Sequence, residues 1–291
     1  MPIVQISGLL LYLYGCSNLP TDRQSLEFIS ADQTGRLVVM RLTQSDTGWL
    51  KGTGHFKATI WNPGENTLEF WDHAPQSHVD WTEQQISIGY RHTVQMTGTD
   101  WQLDSHFDEW NLRILGSCGA KPTAWMVTPE WSTQVLCPNM TNTGWIQSHE
   151  QSQLLNGASI AVLHKGNELE TDSQWFISTN STFHLMIEMT PNGVFGYFQT
   201  MDDNGQWNSS SILSVTESKS TWEIKTSAGT IQIDDIQDIG VEDPFEHIAS
   251  WERTLAQHYY PLHTIAWRKG HAVWQDKPFV VIIREHRLPH E

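Results

Sequence analysis

The sequence predicts an all-β protein made of two antiparallel β-barrel or sandwich lobes, with one short helix near the C-terminus. Apolar and polar residues alternate with a period of two in many segments, as they do in strands with one buried face. Turn-forming residues separate these segments at short intervals, which favours hairpins. Charged residues make up 17% of the 291 residues, below the roughly 25% of an average globular protein. A polar but weakly charged surface suits sheets.

The first predicted hairpin pairs the segment 55–61 with the segment 67–71. A turn at 62–66 that contains Pro and Gly separates the two. Alternation places three apolar side chains of the first segment on one face: Phe56, Ala58 and Ile60.

The second half of the chain is predicted to be a meander of antiparallel strands. The segments 183–189 and 194–198 are the strongest hairpin signal, because both alternate and Pro-Asn-Gly separates them. The segments 221–225 and 231–233 are joined in the same way by a turn that contains Ser-Ala-Gly.

One short helix is predicted to begin after Asp243. Asp243 is a suitable N-cap, Pro244 fits the first helical position, and Glu246 completes a capping-box pattern. Apolar residues then recur at helical spacing.

The domain organisation predicted from these patterns has three parts. Residues 1–16 form a signal segment, residues 17–150 an N-terminal lobe, and residues 151–291 a C-terminal lobe. The boundary is placed at a polar stretch near residue 150, which separates two strand-rich halves.

The N-terminal segment suggests export. Residues 3–14 are almost wholly apolar and precede Gly15 and Cys16, an arrangement that resembles the lipoprotein signal of bacteria. The resemblance implies lipidation of Cys16 and an exported protein, facing the periplasm or held in the outer membrane, that contacts the membrane through a lipid anchor only. A buried first strand is the alternative interpretation.

Two further cysteines, Cys118 and Cys137, remain if Cys16 carries a lipid. In an exported chain they can close one disulfide, which would stabilise the fold by roughly 3 kcal/mol. Two unrelated buried thiols are the alternative. Because the sequence contains no Cys-x-x-Cys motif, we expect no metal site.

The charge balance and the missing motifs exclude several classes of function. The net charge of −16 disfavours nucleic acids and anionic lipid headgroups as partners. No apolar run reaches the roughly 18 residues of a membrane span. The chain has no Gly-x-Ser-x-Gly, phosphate-binding loop or Gly-x-Gly-x-x-Gly motif, which disfavours serine hydrolases and the binding of nucleotides or dinucleotides.

The candidate catalytic residues lie between residues 101 and 110. Asp104, His106 and Asp108 fall on one strand face, about 7 Å apart, and Glu109 follows directly. If this face lines a lumen, it places an imidazole between carboxylates, a set that can donate a proton or bind a metal. If it faces water, it is a solvated strand face. The pattern leaves both interpretations open.

The fifteen tryptophans are the most unusual feature of the composition. Each indole can bury on the order of 200 Å² while its N–H group still needs a partner, so that many are hard to place in ordinary cores. A cavity walled by indoles suits an elongated apolar molecule, the apolar face of a sugar, or a developing carbocation. Bulky packing between the two halves is the alternative. The candidate ligand-binding residues are Trp71, Trp81, Trp101, Trp110 and Trp175.

Four short peptides in the first half of the chain resemble those of a known family. The peptides Ile86-Ser87-Ile88-Gly89, Trp101-Gln102-Leu103-Asp104, Phe107-Asp108-Glu109 and Val127-Thr128-Pro129 resemble the carotenoid 1,2-hydratase (hydroxyneurosporene synthase) group of the two-domain lipocalin-like superfamily. The glycine- and tyrosine-rich closing strand of that group is missing here.

The resemblance implies a cofactor-free site in a lipocalin-like barrel that acts on a polyene or another terpenoid. It further implies that Asp104, Asp108 or Glu109 protonates the alkene and that His106 orients water. Trp101 and Trp110 would then be the walls that face the cation.

Three functions therefore remain open from the sequence. The first is a lipid-anchored protein that binds, and hydrates or isomerises, an apolar or terpenoid molecule in a cavity walled by tryptophan. The second is a carbohydrate-binding module or polysaccharide-active envelope protein. The third is a structural envelope lipoprotein without a ligand.

Overall fold

The computed structural model describes residues 23–31, 36–45, 53–119, 123–128, 131–166, 172–179, 182–218, 220–243 and 264–287. These residues form two sheets of antiparallel strands, each curled into a nearly closed barrel. The predicted all-β class with two lobes is confirmed. Within the described ranges no helix is long and apolar enough to cross a membrane. The helix predicted after Asp243 and the predicted lipidation site, Cys16, lie outside the described residues.

Lobe 1 is a 13-stranded sheet. Its strands are β1 (Arg23–Ala31), β2 (Leu37–Ser45), β3 (Thr53–Trp61), β4 (Leu68–Pro75), β5 (Val79–Trp81), β6 (Gln85–Ile88), β7 (His92–Thr97), β8 (Asp100–His106), β9 (Asn111–Cys118), β10 (Thr123–Thr128), β11 (Trp131–Gln147), β12 (Ser152–Leu154) and β13 (Gly157–Gly166). The main strand order is β4-β3-β2-β1-β13-β11-β9-β8-β7-β6-β5. A 3₁₀ turn, Gln76–His78, precedes β5.

The two ends of this order meet where β3 lies against the β5–β6 hairpin. Gly54 of β3 leaves no room for a side chain there, because a Cβ atom at that position would meet Val79 and lie within 3.4 Å of Ile88. The missing side chain therefore allows the sheet to curl toward closure.

Lobe 2 is a 9-stranded sheet. Its strands are β14 (Ser173–Thr179), β15 (Phe183–Thr190), β16 (Gly193–Met201), β17 (Trp207–Ser210), β18 (Ile212–Ser218), β19 (Thr221–Thr226), β20 (Gly229–Glu242), β21 (Thr264–Trp274) and β22 (Lys277–Arg287). The order is β17-β16-β15-β14-β22-β21-β20-β19-β18, and β16 packs against β18 across the remaining gap.

The predicted hairpins form as expected. β3 pairs with β4, β15 with β16, and β19 with β20, all antiparallel. Phe56, Ala58 and Ile60 are fully buried inside lobe 1. Gly193 adopts a φ of 146° at the turn before β16, a conformation that favours glycine.

The boundary between the lobes lies further along the chain than the predicted position at residue 150. β12 and β13 belong to lobe 1, because β13 pairs with both β1 and β11. Lobe 2 begins with β14 at Ser173. The boundary therefore falls between residues 166 and 173, since the return of the chain to β1 is a long-range pairing that no local polar stretch marks.

Three apolar clusters hold the fold together. One fills lobe 1 and another fills lobe 2. The third cluster joins the outer walls of the two lobes, and we call this contact region the junction. Its buried side chains come from both lobes: Ile29, Leu37, Val39, Trp61, Val135, Ile160 and Val162 from lobe 1, and Trp175, Ile177, Met186, Tyr197, Ile265, Trp267 and Ile282 from lobe 2.

Candidate functional site

The candidate catalytic residues lie on the outer face of lobe 1. Asp104 Oδ1 is 3.3 Å from the Arg113 Nε atom, and His106 Nδ1 is 2.6 Å from Asn111 Oδ1. The Asp108 side chain is 93% exposed, and Glu109 is exposed as well. The structure therefore gathers these four residues near the β8–β9 turn, facing solvent.

The five candidate ligand-binding tryptophans occupy different places. Trp81, Trp101 and Trp110 pack on the core of lobe 1, where the Trp101 ring meets Phe28 edge to face at 5.7 Å. Trp71 lies on the outer face of β4, and Trp175 is fully buried at the junction. They do not surround one common space.

A cavity of about 900 Å³ opens at the end of lobe 1 that carries the β7–β8 turn. Trp101, Met96, Leu136 and Cys118 provide its apolar surface, and amide and hydroxyl side chains such as Gln95 surround them. Cys118 is joined to Cys137 by a disulfide, with the two Cα atoms 5.6 Å apart. The remaining lining residues are Asp80, Thr82, Glu83, Gln84, Gln85, Thr97, Gly98 and Thr99.

The opposite end of lobe 1 holds a buried histidine. His92 Nε2 is 3.0 Å from Asp72 Oδ2, and Phe56 stacks on the imidazole at 4.4 Å. Burial lowers the pKa of His92, although Asp72 opposes that shift. Burial alone would raise the pKa of Asp72, but its hydrogen bonds with His92 and with the His73 backbone lower it. This pair stabilises the end of the barrel.

The junction carries a row of polar side chains on the outer wall of lobe 1. The strand register places Glu27, Arg41, Lys57 and Trp71 side by side on β1, β2, β3 and β4. Glu27 is fully buried, Arg41 and Lys57 are 12% and 11% exposed, and Trp71 at the end of the row is half-buried. The row therefore leads from the protein interior toward the surface.

A second polar row runs parallel to the first, two residues along each strand. It brings Ser25 next to His164 and Thr43, and His55 next to His73. Ser25 Oγ and Thr43 Oγ1 are 3.1 Å apart, and the rings of His55 and His73 stack at 6.5 Å. Hydroxyl and imidazole groups thus line the second row. We call the two polar rows together the polar half of the junction.

His164 connects the two rows. Its Nδ1 atom is 3.3 Å from Thr133 Oγ1, and its Nε2 atom is 3.7 Å from Glu27 Oε2. Its ring lies 5.0 Å from that of Trp175. An imidazole is thereby held between a hydroxyl and a carboxylate.

Lobe 2 places one cation opposite the first row. Arg284 Nη1 donates to Glu27 Oε2 at 2.7 Å, although 257 residues separate the two in sequence. The guanidinium lies 4.9 Å from the Trp175 ring centroid and 5.6 Å from that of Trp267, distances that allow cation–π attraction. Trp175 Nε1 donates in turn to Glu188 at 3.0 Å.

Lobe 2 also contributes the carboxylate of Glu242, at the end of β20. Its Oε1 atom is 3.4 Å from Arg41 Nη1 and 3.3 Å from Lys57 Nζ. Its Oε2 atom accepts a hydrogen bond from Trp267 Nε1 at 3.3 Å. Glu242 therefore joins lobe 2 to two cations of lobe 1.

Glu27 and Glu242 are both held in the ionised form. Burial by itself would raise the pKa of Glu27, but Arg284, Arg41 and His164 outweigh burial and hold it far below its ordinary value of 4.5. Burial likewise opposes ionisation of Glu242, and Arg41 and Lys57 lower its pKa below the same value. The site therefore presents fixed negative and positive charges among indole rings.

Sequence reasoning identified Trp71 and Trp175 as candidate ligand-binding residues but missed the charged residues beside them. One local signal was available: Glu27 stands within Leu26-Glu27-Phe28-Ile29, and Arg284 follows Ile282-Ile283. A charge inside so apolar a strand suggests that both faces of the strand are covered. The residue that pairs with such a charge lies on a strand distant in sequence, so no local pattern identifies it.

Comparisons with solved structures place this geometry in a known fold. The structure is similar to a putative AttH from Nitrosomonas europaea (8% identity, TM-score 0.60, 92% of each chain covered). It is also similar to kievitone hydratase from Nectria haematococca (12% identity, TM-score 0.53, 92% of this chain and 89% of that chain). The crystal structure of CghA with Sch210972 matches at 7% identity and a TM-score of 0.62, covering 92% of this chain and 89% of that chain.

The chain has the two-lobed lipocalin-like fold. The resemblance predicted from the sequence is thus confirmed for the fold. No family model matches the sequence, and no curated protein matches it significantly.

Proposed function

We propose that this protein binds an apolar or terpenoid small molecule at the polar half of the junction and hydrates or isomerises it without a cofactor. The observation that carries the proposal is the set of buried charges and indole rings between the lobes. Ligand sites occur preferentially between structural units and combine apolar walls with a few placed polar groups.

The energetic cost of these charges supports a functional role. Removing an ion from water costs several kcal/mol, and well-packed apolar residues would often hold two surfaces together as well or better. Glu27 and Arg284 are at most 1% exposed, and Glu242 is 3% exposed. Clusters of buried, perturbed ionisable groups are enriched at functional sites.

The chemistry of the junction suits proton transfer. Hydration and isomerisation move protons without net transfer of electrons, and histidine is the side chain that most often carries such protons. His164 would move the proton, while Glu27 would stabilise positive charge that develops on a substrate next to it. Arg41 and Lys57 would stabilise negative charge on a substrate oxygen.

The names of the structural neighbours point to the same kind of chemistry. One neighbour is named a hydratase, and another was crystallised with Sch210972. Those descriptions belong to the neighbours; for this chain they make hydration the first reaction to assay.

The binding proposal is tested by tryptophan fluorescence. We expect a polyene such as all-trans retinol, or a long-chain lipid, to quench the emission saturably, and Trp71→Ala to weaken binding. Trp145→Ala is the matched control, because Trp145 is also half-buried but lies on β11, outside the junction and the cavity. A response to soluble glycans alone would reject the proposal, and a response to neither class would favour an envelope protein without a ligand.

Turnover is tested by mass spectrometry of the bound molecule. Hydration adds the mass of one water, and isomerisation changes the absorption spectrum at constant mass. Loss of either change in His164→Gln, with binding retained, would support proton transfer by His164. Turnover that is unchanged in this variant would contradict the assigned role.

A carbohydrate is the second candidate ligand, and the cavity of lobe 1 favours it. Amide, hydroxyl and carboxylate groups surround Trp101 and Met96 there, a lining that suits a ligand with many hydroxyl groups and one apolar face. Quenching by glycans that is lost in Trp101→Leu but not in Trp71→Ala would identify this site.

Lipid anchoring through Cys16 is part of the proposed function. The support is the lipoprotein-like segment that ends at Cys16. We expect the full chain expressed in bacteria to partition into detergent and Cys16→Ala to remain in the aqueous phase. Release of both proteins into the aqueous phase would show that no lipid is attached.

A further inference from the structure

The ammonium group of Lys57 is buried beside one carboxylate. Its side chain is 11% exposed, and Nζ lies 3.3 Å from Glu242 Oε1. Among the residues that the structure describes, no atom accepts a hydrogen bond from Nζ. A lysine ammonium has three N–H donors, and a buried charged donor without acceptors is costly.

Glu242 has little capacity left for Lys57. Its Oε1 atom is shared with Arg41 Nη1 at 3.4 Å, and its Oε2 atom accepts from Trp267 Nε1. Two cations therefore share one carboxylate oxygen at distances near the long end for charge-assisted hydrogen bonds. The local charge pattern favours a further negative oxygen next to Lys57.

Lys57 stands next to the surface end of the first polar row. Its cross-strand partner on β4 is Trp71, which is half-buried and stands at the surface end of the first polar row. An indole next to an ammonium group provides an apolar surface beside a charged anchor, the two features that an amphiphilic anion requires.

We propose that the ligand of the junction carries an oxyanion, such as a carboxylate, which binds Lys57 while its apolar body packs on Trp71. This inference rests on the proposed function and narrows its ligand class. The acidic body of the protein, with a net charge of −16, repels anions in general, so a preference for an anion has to arise at a local site.

The experiment compares ligands that differ only in the head group. All-trans retinoic acid and all-trans retinol share one polyene, and palmitate and 1-hexadecanol share one alkyl chain. Dissociation constants are measured at pH 8 and physiological salt for the wild type, Lys57→Met and Lys57→Arg. Lys225→Met is the matched control, since it removes one positive charge from an exposed lysine that pairs with Glu223.

We expect the wild type to bind each acid at least tenfold more tightly than its alcohol, because a hydrogen bond to a charged group is worth about that much. The preference should fall to about one in Lys57→Met and persist in Lys57→Arg and Lys225→Met. Near-ultraviolet circular dichroism checks that each variant keeps its tryptophan packing.

Two results would overturn the inference while leaving the proposed function intact. One is equal binding of acid and alcohol by the wild type; the other is an acid preference that survives in Lys57→Met. If neither the acids nor the alcohols bind, the proposed function is contradicted, and this inference with it.

Discussion

Replacing Arg284 by Met tests whether the buried charges stabilise the association of the two lobes. Arg284 is 1% exposed and donates from Nη1 to Glu27 Oε2 at 2.7 Å across the junction. Met has a similar length and apolar stem but carries no charge. The substitution leaves Glu27 fully buried, with Arg41 and His164 as its remaining partners.

The expected loss of stability is about 3–5 kcal/mol. Removing one partner of a buried ion pair costs about that much, because the remaining charge stays out of water. Arg41 Nη2 still contacts Glu27 Oε1 at 2.6 Å, which limits the loss. The attraction of Arg284 to the faces of Trp175 and Trp267 is also removed, at about 1–2 kcal/mol when such a contact is desolvated.

The assay is urea unfolding at pH 7, followed by tryptophan fluorescence. It includes the wild type, Arg284→Met, Glu27→Gln and the double variant. Because both substitutions remove the same interaction, we expect the double variant to lose clearly less than the sum of the single losses. A loss below about 1 kcal/mol in Arg284→Met, or additive losses in the cycle, would refute the argument.

The same variant changes the response of stability to acid. The pKa of Glu27 is far below its ordinary value of 4.5 in the folded protein. Its contribution is therefore fully present above pH 4.5 and is lost only as the pH falls toward the folded pKa. Without Arg284 the pKa of Glu27 in the folded protein rises. Glu27 then contributes less to stability at pH 4.5 than it does in the wild type. Arg284→Met should therefore lose less stability than the wild type when the pH is lowered further.

Three further predictions concern other parts of the fold. Burial lowers the pKa of His184 to about 4, so the unfolded chain binds a proton at a higher pH than the folded protein does. The free energy of unfolding should therefore fall by roughly 3 kcal/mol between pH 6.5 and pH 4. His184→Phe should flatten that part of the pH profile of stability, measured by urea unfolding. Gly240→Ala should lower the free energy of unfolding by about 1–3 kcal/mol, because its Cβ would overlap the Trp61 indole across the junction. Replacing Cys118 and Cys137 together by Ser should cost about 3 kcal/mol in thermal or urea unfolding.

Each of these predictions has its own control. Gly119→Ala should be nearly neutral, since its Cβ would meet nothing nearer than the Asn139 carbonyl at 3.7 Å; equal losses in both glycine variants would contradict the account of the junction. A pH profile that is unchanged in His184→Phe would show that another group titrates. Free thiols at both cysteines in the unreduced, denatured protein would contradict the disulfide.

The local patterns of the sequence were sufficient for the strands and hairpins. Phe56, Ala58 and Ile60 alternate with polar residues, and this alternation depends only on the two-residue repeat of a strand. A turn with Pro and Gly then fixes the direction of the next strand. Trp101 and Leu103 alternate with polar residues in the same way, and both are buried in β8.

The sequence could not decide what covers the other face of a strand. Asp104 on β8 and Glu27 on β1 both occupy outward positions of lobe 1, yet Asp104 faces solvent and Glu27 is fully buried. The difference arises because lobe 2 packs over β1–β3 and leaves β8 uncovered. Candidate residues chosen by alternation alone therefore fell on the exposed wall.

The sequence by itself determined the all-β class, the hairpins, the interior faces of the strands and the low charge of the surface, since all of these follow from neighbours along the chain. Only the tertiary structure decided that Glu27 meets Arg284, that Lys57 and Arg41 share Glu242, and that Trp175 and Trp267 flank these charges. Such contacts join residues that are as much as 257 positions apart. They exist because two curled sheets pack wall to wall, an arrangement that no local pattern encodes.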